Sequence, residues 1–355
     1  MKTVAWIPRF ASPDVASTRI RCLNIIRELN RLGHRSEIFE PARFDSYGTL
    51  IFVKAYGKEH IDLARQAQKL GRRVVFDLCD NHFLVANTCR SERDRVRSLV
   101  EMIALSDRVV VSTEALRKVV GEHVPSVEQK ISVIGDAVEE TLPPSRFPSR
   151  IAEWVALFFL RLFIGYQARL GRTPIVWFGI HGGKNADYGM QDILKVADQL
   201  NAVASSHGIS LTVISNSFRK FLSVSKAFEF PSFYVPWGGS SFFSALSKHR
   251  IAIVPIRRNE FTECKSNNRV ALAITRGLGV VVPELIPAYE ELLPYIKHTD
   301  IKTGIAEYID KPNDAKNELN AGRAYIARNF SLRAIGQKWE WLLMELEGNR
   351  LIKSK

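Results

Sequence analysis

The sequence predicts an α/β protein built from two doubly wound parallel-sheet domains in series. Three observations carry this reading. The chain has 355 residues, too many for one ordinary core. Short apolar, β-rich runs alternate with longer segments of helical spacing. The alternation stops at a proline-rich stretch and then begins again.

Val4–Ile7 is the first short buried run. In Ser17–Leu32, Ile20, Leu23, Ile26, Leu29 and Leu32 recur at helical spacing, and Gly33 stands where a helix would stop. Ser36–Phe39, Leu50–Val53, Val74–Phe76, Val109–Ser112 and Ile131–Ile134 read as strands. Glu59–Leu70, Ser91–Leu105 and Thr113–Val120 read as helices between them. Strands that alternate with helices imply a mostly parallel sheet covered on both faces. Thr141–Arg150 carries Pro143, Pro144 and Pro148, which break regular structure and mark the boundary. The pattern resumes with strands at Ile175–Phe178, Leu211–Ile214, Phe233–Val235, Ile251–Pro255 and Val280–Val282. Ser331–Leu346 is a last helical segment with Trp339, Trp341 and Leu342. The expected division is therefore a first domain at 1–145, a linker and apolar helix at 146–171, and a second domain at 172–335.

Composition narrows the function. Apolar residues at 46% and charged residues at 25% exclude a disordered or fibrous chain. Lys and Arg number 50 against 37 Asp and Glu, a formal charge of +13, which favours an anionic partner. Nucleic acid is not the expected one, because no recognition helix, RNP-like aromatic strand or zinc module is visible. Cys22, Cys79, Cys89 and Cys264 form no CxxC pair. That argues against a disulfide framework or zinc ribbon and for a reducing compartment. The apolar run near the N-terminus is too short for a secretory signal, so a cytoplasmic location is expected.

In open parallel sheets, ligands sit beyond the carboxyl ends of the strands. The first such loop ends in Ser17-Thr18-Arg19-Ile20-Arg21. Ser17 or Thr18 can cap the helix, and Arg19 offers a bidentate donor for phosphate or carboxylate. No G-x-G-x-x-G follows the first strand, which disfavours a dinucleotide-binding domain. Asp77-Leu78-Cys79-Asp80-Asn81-His82-Phe83 places carboxylates, an amide and an imidazole at the sheet edge, where they could serve as a general base or hold sugar hydroxyls. In the second half, Gly179-Ile180-His181-Gly182-Gly183-Lys184-Asn185 lets backbone approach a ligand closely, although it is no P-loop. Arg257–Arg269 lies at a strand-to-helix turn. Lys265, Arg269 and the helix start are expected to converge on one anion, with Ser266 or Asn267 as the cap.

These pieces, in this order, resemble GT-B glycosyltransferases of the broad family-four kind over nearly the whole length. The matching segments are Ser17-Thr18-Arg19-Ile20-Arg21, Val74-Val75-Phe76-Asp77-Leu78-Cys79-Asp80, Ile134-Gly135-Asp136-Ala137-Val138, Val176-Trp177-Phe178-Gly179 and Lys265-Ser266-Asn267-Asn268-Arg269. The resemblance implies two Rossmann-like domains facing a cleft, with a nucleotide-sugar donor in the C-terminal one and a saccharide or lipid-linked acceptor in the N-terminal one. The C-terminal helix, 336–355, is then expected to pack back on the first domain. Lys265 and Arg269 would neutralise the diphosphate leaving group. Gly179, Gly182, Gly183 and Asn185 would form the close-approach loop. Ser215 and Asn216 would lie near the base, and Ser266, Asn267 and Asn268 would complete the donor site. Asp80 or His82 would stand near the sugar or the acceptor hydroxyl, and Ser17, Thr18 and Arg19 would contact the acceptor. No metal or other cofactor is implied, because cations and a helix end stabilise the departing phosphate. The chain departs from the family where two glutamates are common: the positions read Cys264 and Leu272. Another residue, Glu260 or Glu263, would have to hold the ribose, or the donor binds differently.

Ile151–Tyr166 is apolar apart from Glu153 and Arg161. It is too short and too interrupted to span a bilayer, but an interfacial helix on an anionic membrane face fits it. Buried, interdomain and dimer-contact roles fit it too. The expected activity is sugar transfer in cell-surface polysaccharide or lipopolysaccharide synthesis. A nucleotide-sugar epimerase or a non-catalytic scaffold on the same fold are the alternatives.

Overall fold

The computed structural model describes residues 2–84, 90–182 and 188–353. The chain forms two compact units. The first comprises Met1–Glu139, Asn259–Asn268 and Arg328–Lys355; the second comprises Glu140–Arg258 and Arg269–Ala327.

The first unit holds a six-stranded sheet in the order β2-β1-β3-β4-β5-β6. Its strands are β1 (Thr3–Pro8), β2 (Ser36–Ile38), β3 (Tyr47–Val53), β4 (Arg73–Leu78), β5 (Arg108–Val111) and β6 (Ile131–Val133), and every pairing is parallel. The covering helices are α1 (Ala16–Thr18), α2 (Asn24–Arg31), α3 (Lys58–Lys69), α4 (Arg90–Leu105) and α5 (Glu114–His123). All six strand expectations fall on strands; the inner strands β1, β3, β4 and β5 are buried on both faces, as a sheet covered on both sides requires, while the edge strands β2 and β6 are only partly buried. Chain order reverses between β1 and β3, which makes the loops after those two strands the switch point.

The second unit holds a five-stranded sheet in the order β11-β10-β7-β8-β9. Helix α6 (Ser149–Arg169) precedes β7 (Thr173–Phe178). There follow α7 (Ala197–His207), β8 (Ile209–Ser215), α8 (Phe218–Val224), β9 (Ser232–Pro236), α9 (Phe242–Leu246) and β10 (Ile251–Ile253). The unit continues through α10 (Asn268–Thr275), β11 (Gly279–Val281), α11 (Ile301–Asp310) and most of α12 (Pro312–Asn329). These strands are all parallel as well. Here the switch point lies between β7 and β10.

The last helix, α13 (Leu332–Lys353), belongs to the first unit and packs on α2. Trp339 is buried edge-on against Trp6 of β1, ring centroids 5.0 Å apart. Loss of a buried tryptophan from such a core costs roughly 3–5 kcal/mol. Two divisions differ from the sequence reading. Helix α6, expected as part of a linker, is built into the second unit through buried Leu157 and Leu160 and a stack of Phe163 on Phe233 at 5.1 Å. Asn259–Asn268, which lies in sequence between β10 and α10, groups with the first unit.

Candidate functional site

The first unit gathers its charges at the carboxyl ends of β3 and β4. Lys54 follows the fully buried β3 and adopts φ +56°, a left-handed conformation uncommon for a side chain other than glycine and frequent at functional sites. Its ammonium donates to Asp80 Oδ2, while Lys265 Nζ donates to Asp80 Oδ1 at 2.5 Å. Lys265 also lies 4.2 Å over the Phe261 ring, a favourable cation–π placement. Burial alone would push the Asp80 carboxyl up, but the Lys265 and Lys54 charges outweigh it and hold it well below the usual carboxylate range. Asp80 is therefore a fixed anion and a weak base, not the general base that its position in the loop suggests. Two ammonium groups share one carboxylate, leaving net positive charge.

His82 accepts from or donates to Tyr56, with Nδ1 2.9 Å from the phenol oxygen. Burial, with Lys54 adding to it, pushes the imidazole down to about 4. His82 is thus neutral near pH 7 and available as a neutral hydrogen-bonding or proton-accepting group.

The loop carrying Lys265 is anchored by a set of bonds within the first unit. Ser266 Oγ donates to Asp136 at 2.6 Å, so Ser266 holds the loop instead of capping α10. Asp136 accepts from Arg21 at 2.8 Å, and Arg21 in turn grips the fully buried Asp77. Asp77 is therefore structural. Thr113 donates to the Cys264 carbonyl at 3.1 Å and Asn81 to the Glu260 carbonyl at 3.2 Å. Cys264 is buried in the first core, where an apolar-tolerant residue fits. Asn267 is buried, and Asn268 opens α10.

The acceptor residues expected at the first helix are placed differently. Arg19 is buried and bound by Glu139 at 2.5 and 3.0 Å and by the Pro13 carbonyl at 2.8 Å. Thr18 donates to the Phe10 carbonyl at 2.6 Å. No side chain caps this helix; Val15 stands at the cap, and a π turn at Arg19–Leu23 follows. The turn directs Arg19 and Arg21 to internal carboxylates, so Arg19 is not free to take an acceptor anion, and only the half-buried Ser17 stays near the surface.

In the second unit, Gly179 follows β7. A Cβ there would lie 3.2 Å from Trp177 and 3.3 Å from Arg269 Nη1, so Arg269 lies directly against the glycine. Arg269 is half-buried and has no ion pair among the described residues. Its charge also reaches the buried Tyr289 phenol, where burial pushes the pKa up and Arg269 pulls against that shift. Gly182 takes φ +77°, which suits only glycine without strain. Gly183 and Asn185 lie outside the described residues. Ser215 is fully buried and donates to the Gly179 carbonyl at 2.8 Å, so it shapes the glycine loop instead of facing a base. Asn216 Oδ1 accepts from the His181 backbone at 2.9 Å and lies 2.7 Å from His181 Nδ1. Leu272 is buried and brings no polar atom to a ribose.

Lys54 was not a sequence candidate. Its signal was present: a lysine directly after the apolar run Leu50–Val53, at the switch point.

Two parallel, doubly wound sheets of six and five strands with this connectivity have the GT-B glycosyltransferase fold. Solved structures agree. A glycosyltransferase from Rickettsia africae ESF-5 superposes with a TM-score of 0.65 over 98% of both chains, at 12% identity. The trehalose-6-phosphate protein from E. coli bound with UDP-2-fluoro glucose gives 0.61 over 97% of this chain and 99% of its own, at 10% identity. WaaG, a glycosyltransferase involved in lipopolysaccharide biosynthesis, gives 0.57 over 94% and 98%, at 13% identity. No family model and no curated protein matches the sequence.

Proposed function

We propose that the chain is a glycosyltransferase that moves a sugar from a nucleotide-sugar donor to a saccharide or lipid-linked acceptor in cell-surface polysaccharide or lipopolysaccharide assembly. One observation carries the reading: Arg269, without an ionic partner among the described residues, rests on Gly179 at the carboxyl end of β7, beside the switch point of the second sheet. In a doubly wound sheet that is where a ligand belongs, and a guanidinium beside close-approach backbone suits a diphosphate. Arg269 takes the diphosphate as the glycosidic C–O bond breaks. In the first unit, Lys265, its ammonium held in place by Asp80, is a separate candidate cation. A preset charge of this kind stabilises a developing phosphate without reorganisation. In this role the guanidinium supplies what a divalent metal supplies elsewhere. His82, neutral at pH 7, is the candidate for contact with the sugar or the acceptor hydroxyl. A lipid-linked acceptor would place the enzyme peripherally on the cytoplasmic face of a membrane.

The test is release of nucleoside diphosphate from a panel of nucleotide-sugars, with and without lipid-linked and free saccharide acceptors. Acceptor-dependent release that survives EDTA within twofold is expected. Conversion of donor alone would indicate an epimerase. The buried Leu272 favours one second reading, a non-catalytic scaffold subunit, and donor binding without turnover would support that instead.

A further inference from the structure

Helix α6 presents an apolar face that nothing in its own unit covers. Ile151, Trp154, Val155, Phe158, Leu162 and Tyr166 recur at helical spacing and are all exposed, Phe158 at 57% and Tyr166 at 59%. With Phe159 they fill an arc of roughly 140° at about 100° per residue. Phe147, just before the helix, is 78% exposed. Contiguous apolar surface of this extent marks an interaction site.

The opposite face is fixed. Glu153, the only acidic residue of the helix, is 3% exposed and turned inward. It accepts from the Ser240 backbone N–H at 3.0 Å and from Ser241 Oγ at 3.3 Å, at the start of α9. The charges left outside are all positive. Arg150 and Arg161 border the stripe, Arg169 lies at its end, and Arg146 sits beside Phe147. A second copy of the same face would bring arginine against arginine. An anionic lipid leaflet instead meets apolar side chains with acyl chains and arginines with headgroups.

We infer that α6 is a membrane-docking helix that lies in the plane of an anionic leaflet, with Phe147 and the Trp154–Tyr166 stripe in the acyl boundary. The helix, Ser149–Arg169, is longer than the apolar run Ile151–Tyr166, and contrary to the sequence expectation it could cross a bilayer by length and composition. A crossing would carry Glu153 and Gln167, both buried against the protein, into hydrocarbon and strip α6 from β7 and β9, so it rests on the surface. The inference deepens the lipid-acceptor half of the proposed function but needs no transfer chemistry, so binding is read without donor or acceptor.

The experiment is flotation of the intact chain with vesicles of phosphatidylethanolamine and phosphatidylglycerol, and with neutral phosphatidylcholine vesicles. The wild type and the variants Phe158→Glu/Leu162→Glu and Arg150→Gln/Arg161→Gln are compared. Both variants alter exposed positions, and their melting temperatures report that they fold. Expected are binding to the anionic vesicles, at least tenfold loss in the glutamate variant and a smaller loss in the glutamine variant. Quenching of wild-type fluorescence by lipids brominated just below the headgroup, lost in Trp154→Phe, is expected to exceed quenching by lipids brominated near the bilayer centre. Equal binding by the wild type and the glutamate variant overturns the inference. So does a wild type that ignores both vesicles and sediments as a dimer that the glutamate variant disperses. Vesicle binding without glycosyl transfer leaves docking intact and sinks the transfer reading alone.

Discussion

The carboxyl edges of the two sheets handle charge in opposite ways. In the first unit, Lys54, Asp80 and Lys265 satisfy one another, and Arg19, Arg21, Asp77, Asp136 and Glu139 do the same just behind them. In the second, Arg269 rests on a glycine with no ion pair among the described residues. Paired charge fixes geometry and holds a loop. Unpaired, half-buried charge keeps its attraction for a ligand, since no internal carboxylate has used it. Similar residue types at similar strand ends are therefore left in different states: the first edge holds Lys265 against Asp80, and the second leaves Arg269 without an ion pair among the described residues, as the proposed anion receptor requires.

The largest way to break this comparison is at the cations. Arg269→Ala is expected to lower turnover by ~10²–10³-fold, about 3–4 kcal/mol, the usual effect of losing one preset stabiliser. Lys265→Ala should fall in the same range. Steady-state kinetics check both. If Arg269→Ala turned over normally while Lys265→Ala failed, the roles of the two edges would be reversed.

A smaller effect sharpens the frame itself. Asp80→Asn leaves two ammonium groups facing each other and should cost about 3 kcal/mol of stability. Adding Lys54→Gln to that variant should recover part of the loss, seen as a non-additive double-mutant cycle in denaturant unfolding. Strict additivity would mean that Lys54 and Asp80 are not coupled.

A buried histidine sets a pH response. His249 is buried in the second unit, and burial pushes its imidazole down to about 4. Its folded pKa lies below the ordinary 6.5, so the unfolded chain takes up the proton first. Stability is then full above pH 6.5, declines as pH falls from 6.5 to about 4, and levels off below that. The loss attributable to His249 is on the order of 3 kcal/mol. A His249→Asn variant, compared with wild type by thermal unfolding at pH 7 and pH 4.5, should show a shallower acid decline.

Much of this architecture was legible from local pattern. The inner strands announced themselves as apolar runs because a parallel sheet is buried on both faces, while the edge strand β2, Ser36-Glu37-Ile38, is partly polar and partly exposed. Gly33 takes φ +94° at a helix end, as its position implies. Burial of partners was not legible. Arg19 reads as an anion donor until Glu139, 120 residues later, closes on it, and Asp80 reads as a base until two lysines hold it ionised. Ser215 reads as a ligand contact but bonds its own loop. Lys54 went unnoticed because its meaning comes from strand order, which places β3 beside β1. Periodicity reports which face is inside; it does not report which charges meet there.

Titration calorimetry of nucleoside diphosphates against the wild type and Arg269→Gln tests the central claim most directly, since it isolates the anion receptor from acceptor, membrane and chemistry. The expected result is binding of at least one nucleoside diphosphate by the wild type and at least tenfold weaker binding by Arg269→Gln, with the melting temperature unchanged. Equal affinity in the two proteins would contradict the account.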